Sequence, residues 1–537
     1  MTKKAKNILT LKHDEALDFF LKSEQFHGFE LPEYFKFDKV LKAVAESVGE
    51  TSYDDCLTNV LPDEMHDVNL DIILNKDGRY AVRPIILANP FLYYFLVREI
   101  CSEKGWTTIQ DCFGKFTLPH IASCALPVVP QKVEPFHKSA TILNWWNSIE
   151  QRSLELSLEY RYMFVTDITN CYGSINPETI DWALSMKSTE YATDDNHDMA
   201  RNIIRYIRAL QQGRNIGIPQ GSAIFDFVGE IILGYSDLLL FNRLKEEGIE
   251  GYEILRYRDD YRIFCNDMDQ LERISYILQE VLESLNFRMN SNKTRISHSI
   301  VTDSLKSDKL WYIENTPIFN KKGVDFDSFE KHLFFILMFG RRYPNGGQIK
   351  IMLTDLDKRI KEHLEPQETE EEVLMFDEED VKSKTHTRKW QRDLPGGSVR
   401  AMSAVATQIA LENVSASHYA LRVLSRMVDS LKDDKEKVEI ISKVYEKLAH
   451  QPNSAYNQLW LQNITYQRDK KQGCSPYEMR LCRLVMGEQV DLWNNSWLKP
   501  EFSKKLPLDT ICDKDTLKMT TPVITFREMR AYEELYS

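Results

Sequence analysis

The heptapeptide Arg256-Tyr257-Arg258-Asp259-Asp260-Tyr261-Arg262 sets two adjacent aspartates among three arginines. Neighbouring carboxylates repel each other, and burying them without partners is costly. Arginines can offset that cost, and a surface salt-bridge cluster is the simplest reading of adjacent acids. Aromatic-x-Asp-Asp between apolar runs is a narrower pattern. Two divalent cations would hold such carboxylates better than flexible guanidinium groups. A metal site needs a further carboxylate, and Asp167 ends the apolar run FVTD in FVTDITNCYGSI. By itself an aspartate in that position reads as a helix cap. Tyr172, in the same segment, adds an aromatic ring able to lie below a nucleotide sugar.

Three further segments supply groups suited to a nucleotide. In GIPQGSAIFDF, Gly217 to Phe227, Gly221 gives the backbone freedom to approach a ligand, and Gln220 both donates and accepts hydrogen bonds. Lys293 follows a helix-to-strand turn in LNFRMNSNKT, and Arg83 lies in RYAVRPI. Each cation alone is an ordinary surface residue. A nearby triphosphate would, however, favour the forked donors of Arg83.

The elements that must position these groups can be read from periodicity. RYMFVTDI, Arg161 to Ile168, has the apolar and β-branched content of a buried strand. Helical stretches are predicted near 177–187 and 197–212, followed by the apolar helix Ala223 to Leu240. A hairpin comes next, YEILRYR rising into the paired aspartates and YRIFC descending, then a helix at 268–286 and a strand-like segment ending at SNKTRI. This order predicts one antiparallel sheet backed by helices. Upstream, residues 13–50 read as helical around a turn at Glu30 to Phe35. DIILNKDGRYAVRPI reads as extended with a Lys-Asp-Gly hairpin turn, and 116–135, with four prolines, as loop-rich. Beyond about residue 325, amphipathic stretches at 328–340, 346–363, 398–412, 416–431, 434–449 and 454–467 predict an all-helical region.

Composition bounds the rest. A chain of 537 residues with 43% hydrophobic and 28% charged residues is that of an ordinary globular protein of several domains. No run approaches the ~20 uninterrupted apolar residues of a membrane span. The nine cysteines include no Cys-x-x-Cys pair, which argues against a disulfide framework or zinc site and suits a reducing cytoplasm. The net charge of −13 at first argues against a nucleic-acid partner. Ten acids between Glu362 and Asp380, with no lysine or arginine among them, account for most of it. That stretch is expected to be a solvated acidic loop at 365–380, with mimicry of nucleic acid over a basic groove as a second reading. Local charge therefore matters more than the total.

Taken in order, RPIILANPFLYYFLVREI, DITNCYGSI, GIPQGSAIFDF, RYRDDYRIF and LNFRMNSNKT resemble the successive blocks of reverse transcriptases, and within them the bacterial abortive-infection and defence-associated group. The resemblance covers roughly residues 75–300. It implies an α+β right-hand polymerase: N-terminal helices and fingers over 1–160, a palm over 161–325 with finger helices inserted at about 177–212, and a helical thumb and C-terminal domain over 326–537.

By that resemblance Asp167, Asp259 and Asp260 are catalytic and bind two magnesium ions, with manganese an alternative, and the carbonyl of Ile168 supplements them. Tyr172 matches the sugar gate that favours dNTPs. Arg83 is the triphosphate clamp, Gln220 and Gly221 line the nascent base pair, and Lys293 neutralises or protonates pyrophosphate. The implied partners are a noncoding RNA template or scaffold and a DNA product, in phage defence, with a homo-oligomer open. Initiation on a protein hydroxyl is also open, with Tyr532 and Tyr536 as candidates. The three arginines are expected to face nucleic acid, Arg258 gripping primer or template or competing with metal for Asp259. Two departures stand out: Phe225-Asp226 where the more widespread pattern has Ser-Pro, and Arg258 where relatives carry a small or apolar residue. No RNase H or integrase-like block is present, which argues against retroviral replication. A polymerase-like RNA-binding scaffold and an RNA-dependent RNA polymerase are the alternatives.

Overall fold

The computed structural model describes residues 6–76, 81–130, 141, 144–315, 328–365, 367–377, 380–390, 394, 396–449, 451–473, 476–503 and 506–529. Tyr532, Tyr536 and most of the Lys-Asp-Gly turn lie outside them.

A five-stranded sheet forms the frame of the site. Its strands are β3 (Ile121–Ser123), β4 (Tyr162–Asp167), β5 (Tyr252–Tyr257), β6 (Asp260–Cys265) and β7 (Arg295–Ser297), in the order β3-β5-β6-β4-β7. The β5–β6, β6–β4 and β4–β7 pairs are antiparallel, as expected from the sequence. The outer pair β3–β5 is parallel, which the sequence reading missed. A strand of three residues in a proline-rich connection has no readable alternation, and β3 is set by backbone bonds from Ile254 N to His120 O and from Cys124 N to Arg256 O.

The helix Ala223–Glu246 packs against this sheet and is buried nearly all round. Stacking of Phe227 between Trp106 and Phe113, with centroids 5.8 and 5.6 Å away, ties it to the helix Glu103–Lys115. The helix Met268–Ser284, capped by Asp267 accepting from Gln270 N, covers β6 and β4. A separate two-stranded sheet, β1 (Leu70–Asn75) with β2 (Val82–Leu87), carries Arg83. It leads into Pro90–Ile100, whose Asn89 cap and first-turn proline start a helix with Phe91, Leu92, Tyr93, Phe95, Leu96 and Val97 all buried. Each such side chain contributes about 1.5–3 kcal/mol of apolar burial.

The C-terminal helices Phe329–Arg342, Gly347–Leu364, Gly396–Glu412, Ser417–Asp429, Asp434–Ala449 and Ala455–Gln472 follow the predicted stretches closely. The region is nevertheless not all-helical. Gln367–Asp377 and Asp380–Trp390 form an antiparallel ladder, β8–β9, so the expected acidic loop is instead one strand of a hairpin. The chain then returns to its N-terminal part. Phe35 bridges to Cys512 and Leu57 to Leu498, Lys36 pairs with Asp513 at 3.1 Å, and Trp493 Nε1 donates to Leu87 O.

Candidate active site

Asp167 closes β4 and Asp260 opens β6, and the antiparallel register sets them directly opposite each other. Asp260 also pairs with Tyr257 across the β5–β6 hairpin, leaving Arg258-Asp259 as a two-residue connection. Arg258 takes φ 54°, a left-handed conformation that is uncommon for a side chain of this size. Ile168 N donates to Asp259 O at 3.0 Å, fastening the hairpin tip to the end of β4. Asn290 N donates to Asp167 O at 2.8 Å, and Ile168 bridges to Met289, which brings the segment bearing Lys293 to the same place. The structure thus gathers Asp167, Ile168, Asp259, Asp260 and Lys293.

The electrostatics of this cluster are those of crowded acids. Burial, followed by the charge of Asp167 and opposed by Arg258 and Lys293, raises the Asp259 carboxyl above its usual range. Asp260 keeps an exposed face. Desolvation in the cleft, reinforced by Asp259, nonetheless pushes its carboxyl up to about 6. Lys293 Nζ donates to Asp167 Oδ2, while Asp167 Oδ1 is buried with no hydrogen-bond partner among the described residues. A buried carboxylate oxygen without a donor is costly, and a cation is the group that satisfies it. Among the described residues no three metal-binding side chains close on a common point. The donor chemistry still fits a divalent ion: three carboxylates on adjoining backbone, one oxygen orphaned, two acids held high.

The arginines behave differently from the sequence expectation. Arg256 does not face nucleic acid. It is fully buried, with Nη1 3.0 Å from both oxygens of Glu230 and Nε 2.8 Å from Asp237 Oδ2. Tyr261 Oη and Ser123 Oγ complete this network through Asp237 and Glu230. Arg262, half-buried, donates to Ser153 Oγ and Ser304 O and lines the same cavity as Asp167 and Asp260. Arg258 pairs with Asp226 rather than Asp259: its Nη2 lies 2.6 Å from Asp226 Oδ2. The same carboxylate accepts from Tyr172 Oη at 3.0 Å. Burial and the adjoining Asp226 hold the Tyr172 phenol well above its usual pKa, which keeps it a donor. The sequence reading offered these arginines only the neighbouring aspartates or nucleic acid as partners. Asp226, Glu230 and Asp237 were the available signal, three acids in the mainly apolar stretch Ala223–Leu240.

The glycine of PQG also has a different reason. Gly221 has φ 122°, and a Cβ there would sit 2.6 Å from Ile86 O, so the backbone it approaches is β2. Ile86 N donates to Gln220 O, locking the loop to the strand that carries Arg83, and Gly28 N donates to Gly221 O from the N-terminal segment. Arg83 itself is exposed. Asp167 and Asp260 open on a cavity of about 590 Å³. Its walls include Lys293, Arg295, Lys306 and Arg342, with Trp145 and Tyr343, so C-terminal residues complete a cleft rich in cations and aromatic rings.

A mainly antiparallel sheet with one acid at the end of a strand and two at the adjoining hairpin is the palm of a right-hand polymerase. Residues 115–327 match the family described as reverse transcriptase (RNA-dependent DNA polymerase). The matched span holds every candidate site residue except Arg83 and the priming candidates Tyr532 and Tyr536. No curated protein matches the sequence. Solved structures to which the chain is similar include telomerase from Candida albicans in complex with a telomeric RNA fragment, at 11% identity over 78% of this chain and 70% of that one, TM-score 0.28. The corresponding Candida tropicalis complex gives 13% identity over 73% and 65%, TM-score 0.30. The apo Candida tropicalis enzyme gives 14% identity over 76% and 74%, TM-score 0.29. No described helix is long and apolar enough to cross a membrane.

Proposed function

We propose that this protein is a metal-dependent DNA polymerase of the reverse transcriptase class, adding dNTPs to a primer 3′-hydroxyl. The observation that carries the proposal is the register of Asp167 against Asp260, with Asp259 beside them and Asp167 Oδ1 lacking a donor among the described residues. Asp167, Asp259 and Asp260 would hold two divalent ions, magnesium being the expected metal. When bound, such ions supply Lewis-acid activation of the attacking hydroxyl and neutralise charge on the phosphates.

The remaining roles belong to the chain's own side chains. Lys293, two-thirds exposed at its side chain, can swing from Asp167 toward a leaving pyrophosphate. Arg83 offers its fork to the triphosphate, Gln220 and Gly221 shape the wall at the nascent base pair, and Tyr172 presents its ring to the sugar. The bond that forms joins the primer oxygen to the α-phosphorus, and the bond that breaks releases pyrophosphate. The basic, aromatic cleft suits a nucleic-acid strand, whose phosphates meet the cations and whose bases stack on rings. The sequence blocks extend the reading to a defence enzyme working in the cytoplasm with a noncoding RNA.

The test is incorporation of dTTP on oligo(dT)-primed poly(rA) with Mg²⁺, by the full chain and by Asp259→Ala/Asp260→Ala. The reading expects extension by the first and none by the second. Incorporation by neither protein with any dNTP, together with equal phage protection by both, would replace the polymerase with a binding scaffold.

A further inference from the structure

Residues far apart in sequence converge on a single carboxylate. Tyr172 Oη donates to one oxygen of Asp226 at 3.0 Å, and Arg258 Nη2 donates to the other at 2.6 Å. The Tyr172 ring also lies against the helix Ala223–Glu246 at Gly229, where an added Cβ would stand 3.1 Å from Cε1. The ring is therefore held at its tip by a charged acceptor and along its edge by backbone.

Arg258 carries this constraint to the aspartates. Its carbonyl accepts from the buried Arg256 at 3.2 Å, and the next carbonyl, of Asp259, accepts from Ile168 N. Its left-handed φ is maintained by that surrounding structure. Ring, carboxylate and hairpin tip thus form one connected unit. They also combine the two positions at which this sequence departs from the more widespread reverse transcriptase pattern. Each departure alone is odd: an acid in an apolar helix, and a cation beside an acidic pair. Together they neutralise each other and anchor the ring.

The geometry points to Asp226 and Arg258 as specificity-determining residues, which fix the Tyr172 ring against the nucleotide sugar and so set the preference for deoxyribose over ribose. The inference rests on the reading of Tyr172 as the sugar-facing residue. A steric gate rejects a 2′-hydroxyl only as strongly as its ring resists displacement. Here that resistance comes from one charge-assisted hydrogen bond whose acceptor is itself held by an ion pair. Asp226 and Arg258 act through Tyr172 and are positioning residues.

The experiment measures kcat/KM for dTTP and for UTP on oligo(dT)-primed poly(rA), using the full chain and the variants Tyr172→Phe, Tyr172→Ala, Asp226→Ala and Arg258→Met. Removing the hydroxyl, its acceptor or the acceptor's partner should each lower the dTTP-to-UTP ratio by about 10- to 100-fold, the range a single hydrogen bond to a charged group supplies. UTP use should rise in absolute terms, which no folding defect produces. The double variant Tyr172→Phe/Asp226→Ala should be no less selective than Asp226→Ala alone, because both changes break the same bond. An unchanged ratio in Tyr172→Phe and Asp226→Ala, with a collapsed ratio in Tyr172→Ala, would overturn the inference and leave the gate standing. An unchanged ratio in Tyr172→Ala would overturn the gate itself.

Discussion

Asp167 and Asp260 face each other across the β4–β6 ladder, while the neighbouring Asp259 anchors Ile168 through its carbonyl. Like charges held so close weaken the fold whenever no cation joins them. Asp260→Asn should therefore melt at a higher temperature than the parent chain in metal-free buffer, yet lose more than about a hundredfold in nucleotide incorporation. Differential scanning calorimetry with chelator, alongside primer extension, checks both halves. A lower melting point would mean that Asp260 is stabilising without metal.

Arg256 fixes Glu230 and Asp237 inside the helix–sheet interface. Arg256→Met leaves both acids buried without their cation and should cost about 3–5 kcal/mol. Replacing all three residues with apolar ones of similar size should cost much less, because no uncompensated charge remains. Urea unfolding of both proteins measures the difference.

Gly221 meets β2 so closely that even one methyl group must displace Ile86 O. At φ 122° the substitution Gly221→Ala is strained as well, and a loss of about 1–3 kcal/mol is expected. Gly114→Ala is the control, since it lies in the helix Glu103–Lys115 with open space around its Cβ position. That change should be neutral or stabilising by about 0.4–1 kcal/mol. Denaturation midpoints of the pair give the comparison.

His27 is buried between Phe29 and Phe37, with Nδ1 3.0 Å from Phe29 O and Nε2 3.4 Å from Ser23 Oγ. Burial is the main cause that lowers its pKa to about 4. The folded state therefore keeps the ring neutral at a pH where the unfolded chain, near pKa 6.5, takes up a proton. The stability present above pH 6.5 should fall as pH drops toward 4, by an amount of up to about 3 kcal/mol. His27→Gln should flatten that dependence in unfolding free energies measured at pH 7 and pH 5.

The carboxylate constellation was legible because each of its parts is local. A strand ending in Asp167, a hairpin carrying Asp259-Asp260 and a turn before Lys293 are short patterns, and strand pairing brings such ends together. The partners of the arginines were not legible, since Arg256 and Arg258 find their acids on a helix that precedes them in the chain. The approach of Arg256, on β5, and Arg258, at the hairpin tip, to a helix with Asp226, Glu230 and Asp237 is visible only once sheet and helix are stacked. The acidic stretch misled for another reason. Its like charges suggested a solvated loop, but residues 380–390 contain Lys382, Lys384, Arg388 and Lys389, and the register sets Glu368 opposite Lys389.

The return of the chain to its beginning has a consequence for synthesis. Lys36 waits for Asp513, and Phe35 for Cys512, across nearly the whole polypeptide. During translation the first helices must leave the ribosome with part of their apolar surface uncovered until residues near 512 have been made. Such distant pairings slow folding and lengthen exposure to aggregation. Yield in the cell should therefore depend on chaperone supply during elongation more than on the stability of the finished enzyme.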